Sequence, residues 1–64
     1  MMANKLKELR EAAGMTQAQL AEAAGIKQQA LSRYERGEND AKNMTVALAS
    51  KIAGALNVQI EELI

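Results

Sequence analysis

The stretch from Lys27 to Arg36 gathers most of the side chains in this chain that can recognise another molecule. It holds two adjacent amides, Gln28 and Gln29, a hydroxyl at Ser32, and guanidiniums at Arg33 and Arg36. Amides and guanidiniums are the groups that read purine edges. Glutamine pairs with N6 and N7 of adenine and arginine with O6 and N7 of guanine, each contact discriminating by roughly 1 to 3 kcal/mol. On a helix that turns about 100° per residue, Leu31 and Tyr34 define an inward direction. Gln29, Ser32, Arg33 and Arg36 then point outward, with Gln28 on their flank. That face carries no carboxylate, which would repel phosphate. The one acid of the segment, Glu35, lies off to the side, where Arg10 of an earlier helix can meet it.

Other chemistry is thinly represented. The chain has no cysteine and no histidine, which removes disulfides, thiol chemistry and the usual zinc and imidazole ligands. Glu61 and Glu62 are the nearest thing to a carboxylate pair. Adjacent residues on a helix diverge by about 100°, so the two do not converge on one substrate and read as a solvated face. The expectation is a chain with no catalytic residues, no metal, no cofactor and no small-molecule ligand.

The elements that must position the Lys27–Arg36 face follow from local signals. Over Asn4 to Ala13, Leu6, Leu9 and Ala13 recur at helical steps, and Gly14 supplies a left-handed stop. Thr16 is an N-cap with Gln19 as its capping-box partner, and Met15 against Leu20 makes a hydrophobic staple. This second helix runs to Ala24 and stops at Gly25. Being short, it is marginal alone, so Leu20, Ala21 and Ala24 must press on neighbours, and the small Ala21 admits another helix closely. A third helix, Gln28 to Arg36, buries Leu31 and Tyr34 and ends at Gly37. Glu38 to Met44 form a polar loop. Thr45, or alternatively Asp40, caps a fourth helix, Val46 to Leu56, whose buried positions are predicted as Val46, Ala49, Ile52, Ala53 and Leu56. Asn57 takes the next left-handed stop, and a last helix, Ile60 to Ile64, folds Ile60 and Leu63 onto the core.

Sixty-four residues make one domain, residues 1–64, able to bury only about 60% of its unfolded surface. Hydrophobic residues make up 48%, Tyr34 is the single aromatic and proline is absent, which together predict an all-α fold on an aliphatic, alanine-rich core. No apolar run approaches the roughly 18 to 20 residues of a membrane span, and Met1 to Asn4 open no apolar signal-peptide core, so a cytoplasmic location is expected. The net charge of zero runs against the basic footprint usual for nucleic-acid partners. The charge is nevertheless separated, +2 over residues 1–37 and −2 over residues 38–64. A local positive face can therefore bind phosphates, with weak non-specific affinity.

Two short helices joined through Gly25, with apolar Ile26 directly after it, match the helix-turn-helix pattern. Read alone, Gln28 and Gln29 would be solvated helix surface; their place just after Gly25 and Ile26 favours contact with DNA. From Leu6 to Leu63 the chain resembles the lambda-repressor-like family of the Cro and XRE type, a compact five-helix fold of phage repressors and small bacterial regulators. The resemblance is carried by Leu9-Arg10, Gly14, Thr16-Gln17, Leu20-Ala21, Gly25-Ile26, the run Leu31 to Gly37, and Ile52, Ala53, Ala55 and Leu56. It implies that Gln17 binds phosphate at its helix N-terminus, that Gln28, Gln29 and Arg33 read bases with help from Ser32, and that Arg10 and Glu35 form a structural ion pair. Thr16, Lys27 and Arg36 join the expected phosphate contacts.

Three departures bear on that transfer. Lys27 stands where a hydroxyl N-cap is common, which weakens the helix start and adds a cation for phosphate. The loop after Gly37 is longer than is common and acidic at Glu38 and Asp40, leaving Lys42 and Asn43 as its candidate phosphate contacts. Gln59 replaces the common hydroxyl cap of the last helix. The function expected is sequence-specific binding of double-stranded DNA by a transcriptional repressor, as a homodimer joined through its C-terminal part, where Val58, Leu63 and Ile64 leave apolar atoms at an edge. The alternative is a protein-interaction module of the same fold, an antitoxin- or coactivator-like adaptor.

Overall fold

In the computed structural model, which describes residues 5–40 and 44–63, four α-helices follow one another: α1 (Lys5–Ala12), α2 (Gln17–Ala24), α3 (Gln28–Glu35) and α4 (Val46–Leu56). A 3₁₀ turn, Ile60–Glu62, follows. All four α-helices end in the same way. A residue with positive φ, in turn Gly14, Gly25, Gly37 and Asn57, follows the last helical turn. Its N–H returns to the carbonyl three residues back, and the next N–H returns to the carbonyl five residues back. These two bonds define the Schellman motif and satisfy carbonyls that the helix leaves open. At Gly25 (φ 71°) a left-handed residue lets α3 begin after only three intervening residues.

The helix starts are capped unequally. At α2, Thr16 Oγ1 accepts from the Gln19 N–H at 3.1 Å while Gln19 Oε1 accepts from the Thr16 N–H at 2.9 Å, a complete capping box. At α4, Thr45 Oγ1 accepts from the Leu48 N–H at 3.1 Å, so Thr45 and not Asp40 is the cap. Lys27 holds the N-cap position of α3 in extended backbone, and its side chain makes no cap bond.

Leu6, Leu20, Leu31 and Ile52, one from each α-helix, are fully buried, and burying each stabilises the fold by roughly 1.5 to 3 kcal/mol. Around them lie Ala21, Ala24, Ala49, Ala53, Leu56, Leu63 and Met44. α2 packs on both α3 and α4, and α1 packs on α3. The alanines on α2 and α4 allow that close approach. Tyr34 is half-buried at the margin of the core.

The structure departs from the sequence expectations at a few positions. Val46, predicted to be buried, is 77% exposed. Side chains on a helix lean toward its N-terminus, so at the first position Val46 leans past the end of α4 rather than onto α2. Ala13 lies beyond the end of α1 and is exposed, leaving Leu6 and Leu9 to make that contact. α3 ends at Glu35, with Arg36 as its C-cap. The fifth element is a three-residue 3₁₀ turn rather than a helix over 60–64. Glu62 closes it, accepting from the Gln59 N–H at 3.0 Å. Leu63 packs inward at 2% exposure, which removes it from the apolar edge expected for a dimer. Met1 to Asn4, Lys42, Asn43 and Ile64 lie outside the described residues. Among the described residues no helix is long and apolar enough to cross a membrane.

Candidate nucleic-acid interface

The face of α3 is held in place by a polar junction beneath it. Glu35, one of the few charged groups drawn inside, has a side chain only 2% exposed. Arg10 of α1 meets it with two bonds, Nε to Oε2 at 2.6 Å and Nη2 to Oε1 at 3.1 Å. Gln17, the first residue of α2, donates from Nε2 to the same Oε1 at 3.1 Å. Arg10 Nη1 also donates to the Met15 carbonyl at 2.7 Å. A buried carboxylate needs paired donors of this kind, since an uncompensated charge in the interior is costly. The bond to Glu35 raises the pKa of Arg10 above its already high ordinary value, against the opposing effect of burial. One residue from each of α1, α2 and α3 is thereby locked into a single arrangement.

This junction turns Glu35 away from solvent and leaves the opposite side of α3 without a carboxylate. Gln28, Gln29 and Arg33 are exposed, and Ser32 is half-buried. Gln29, Ser32, Arg33 and Arg36 line one shallow concavity. Among the described residues, the side chains of Gln28, Gln29 and Arg33 keep their donors unpaired. α3 is eight residues long, about 12 Å at 1.5 Å per residue, and a bare helix fits a groove about 12 Å wide. Thr16 and Lys27 are exposed at the starts of α2 and α3.

Four of the sequence candidates, Thr16, Gln17, Ser32 and Arg36, already have side-chain partners, Thr16 through its capping box. Gln17 is half-buried, with one amide hydrogen held by Glu35, and its second hydrogen remains for an outside acceptor. Arg36 donates from Nη1 to Ser32 Oγ at 2.5 Å and from Nε to Glu38 Oε2 at 2.9 Å. The bond to Glu38 raises the pKa of Arg36. That same bond holds the Glu38 carboxyl below its usual range, and the charge of Arg33 adds a smaller push in the same direction. Sequence reasoning missed the Glu38 contact. Its available signal was an acid placed two residues after Arg36, across a glycine that folds the chain back.

Among the described residues no cluster of acids could hold a metal ion. Two short helices meeting at a left-handed glycine, the first anchored in the core and the second presenting a polar face, define a helix-turn-helix protein. The family model for the helix-turn-helix matches residues 6–63, and the chain belongs to that family, in its Cro/C1-type branch. It is 36% identical over 62 residues to an uncharacterized HTH-type transcriptional regulator of Archaeoglobus fulgidus, a match covering 97% of this chain and 84% of that protein. Its fold is similar to the restriction-modification controller protein C.AhdI of Aeromonas hydrophila, with a TM-score of 0.84 and 33% identity over 95% of this chain and 88% of that one. It is also similar to SinR, the master regulator for biofilm formation solved in complex with DNA. There the TM-score is 0.88 and the identity 27%, over 98% of this chain and all of that one.

Proposed function

We propose that this chain is a sequence-specific, double-stranded-DNA-binding transcription regulator that inserts α3 into the major groove. The observation that carries this reading is the exposed, carboxylate-free side of α3, backed by the buried junction that points Glu35 the other way. Membership of the helix-turn-helix family and the likeness to a regulator solved with DNA support it. Gln28, Gln29 and Arg33 read base edges, and Ser32 assists them. Lys27, Thr16 and the second amide hydrogen of Gln17 meet phosphates flanking the groove, where backbone N–H groups at the start of α2 also favour an anion. Lys42 and Asn43 extend that contact from the loop.

The regulator acts as an intracellular repressor and binds as a homodimer to two half-sites about 34 to 36 Å apart, roughly 10 base pairs. With Leu63 buried, Val58 and Ile64 remain as the apolar candidates for the dimer edge. A band-shift selection from a pool of randomised duplexes tests the central claim. The pool should yield a preferred sequence for the parent chain, and Gln29→Ala and Arg33→Ala should each relax it at a different position by roughly 1 to 3 kcal/mol. If the parent shows no preference, or if both variants keep it intact, the reading fails. The adaptor alternative predicts no duplex binding even at low salt.

A further inference from the structure

The four Schellman ends of this chain differ in one respect. The residue that follows each left-handed position is Met15, Ile26, Glu38 or Val58. Met15, Ile26 and Val58 pack on the core, the apolar contact that commonly accompanies this motif. Glu38 is exposed and instead binds the guanidinium of Arg36. Its backbone is as firmly placed as the others, with the Glu38 N–H returning to the Arg33 carbonyl at 3.0 Å. A carboxylate thus stands where stability alone favours a hydrophobic residue, and it is aimed at a side chain of the concave face.

Resting on the DNA-binding reading above, we propose that Arg36 reads a guanine base rather than a phosphate, and that Glu38 is its positioning residue. Glu38 holds Nε and Ser32 holds one hydrogen of Nη1. A guanidinium carries five N–H groups. The three that remain, one on Nη1 and two on Nη2, include the pair that a guanine O6 and N7 edge accepts. Arg36 is 55% exposed, so that edge is open to a partner. The Glu38 charge also offsets that of Arg36, which lowers its attraction for phosphates in general while leaving its directional donors in place. Ser32 contributes by anchoring Arg36 over the α3 face.

The test is selection from a randomised duplex pool, followed by affinity measurements at several salt concentrations. It compares the parent chain with Arg36→Lys, Arg36→Ala, Glu38→Gln and Glu38→Leu. Lysine keeps the charge and loses the fork, so Arg36→Lys should relax preference at one guanine by roughly 5- to 150-fold. Glu38→Gln should relax the same position by about 2- to 12-fold, the effect of releasing one ordered side chain. Glu38→Leu restores an apolar residue at the motif and should fold at least as well as the parent, yet lose the same preference. If Arg36→Lys changes no single position, or if Arg36→Ala weakens all sequences alike and lowers the log-log salt slope by about 0.9, Arg36 is a phosphate contact and the proposal is overturned. If both Glu38 variants keep the preference, Glu38 is only a cap residue. A parent chain that binds no duplex overturns the broader reading as well, whereas preference retained at positions indifferent to Arg36 overturns this inference alone.

Discussion

Replacing Arg10 with methionine should come close to unfolding this domain, and replacing its partner as well should restore it. In Arg10→Met the Glu35 carboxylate keeps only the Gln17 amide, while its side chain remains 2% exposed. Removing one member of a buried pair costs about 3 to 5 kcal/mol, because the other charge stays buried without compensation. A domain of 64 residues has a total stability of about 3 to 10 kcal/mol at 0.05 to 0.15 kcal/mol per residue. The single change therefore removes a third of the stability or more. At about 4 to 8 °C per kcal/mol, the melting temperature should fall by at least about 12 °C. In the double variant Arg10→Met with Glu35→Leu, no charge is left inside, and such replacements are often neutral or stabilising. The Met15 carbonyl and the Gln17 amide lose partners, but both residues are half-buried, so water can reach them. The double variant should return to within about 1 kcal/mol of the parent. Urea unfolding of these variants and of Glu35→Leu alone, followed by circular dichroism and read as a shift in midpoint at constant slope, completes the cycle. A loss below about 1 kcal/mol in Arg10→Met would place the pair among surface ion pairs and refute the argument from burial.

Other positions give sharper contrasts of sign. Lys27→Ser supplies the missing N-cap of α3 in backbone already suited to it (φ −76°, ψ 141°). It should raise stability by roughly 0.5 to 2 kcal/mol while lowering the salt slope of DNA binding by about 0.9, both measurable on one preparation. Ile52→Ala should cost about 2 to 5 kcal/mol, whereas Val46→Ser, at an apolar residue 77% exposed, should stay within about 0.5 kcal/mol of the parent; thermal melts of the two compare them directly. The Glu38 carboxyl is held below its ordinary value by Arg36, so the ion pair is present above the ordinary carboxylate pKa and is lost as pH falls through the lowered one. Titration followed by carbon NMR should show that depressed midpoint in the parent and an ordinary one in Arg36→Met.

Boundaries were legible in the sequence wherever a single residue's own chemistry decides them. Thr16 and Thr45 cap because a hydroxyl reaches the N–H three residues on, and Gly14, Gly25, Gly37 and Asn57 stop helices because they tolerate positive φ. Periodicity also found the core of α4 at Ala49, Ile52, Ala53 and Leu56. It failed at Val46 and Ala13 because a period identifies a face and says nothing of whether a neighbour reaches it. The outward side of α3 was legible for the same reason that its core side was. Contacts made across turns were not. The bond from Gln17 to Glu35 depends on how α2 sits against α3, and the bond from Arg36 to Glu38 depends on the fold-back at Gly37. Sequence alone leaves Glu38 as an acid that discourages phosphate, and only the turn geometry makes it a partner of Arg36.

These internal pairings also explain how a chain of zero net charge suits a polyanionic partner. Arg10 is committed to Glu35 inside the fold, and Arg36 is largely offset by Glu38 at its edge. In the proposed reading Arg33 goes to a base edge, and Lys27 and Lys42 are the cations assigned to phosphates, although Lys5, Lys7 and Lys51 also belong to the chain's eight Lys and Arg. Each neutralised phosphate adds about 0.9 to the salt slope, so two or three per protomer give a slope of about 2 to 3. Raising salt fourfold would then weaken one protomer's binding by roughly 10- to 40-fold, well short of the 10³ to 10⁵ lost by proteins with six to ten such contacts between 50 and 200 mM salt. On the function proposed above, affinity would then come from base edges and from pairing two protomers on one site. Weak attraction for random sequence is expected from the same charge arrangement, and under the proposed base-reading role a few directional contacts on α3 would then decide where the protein rests.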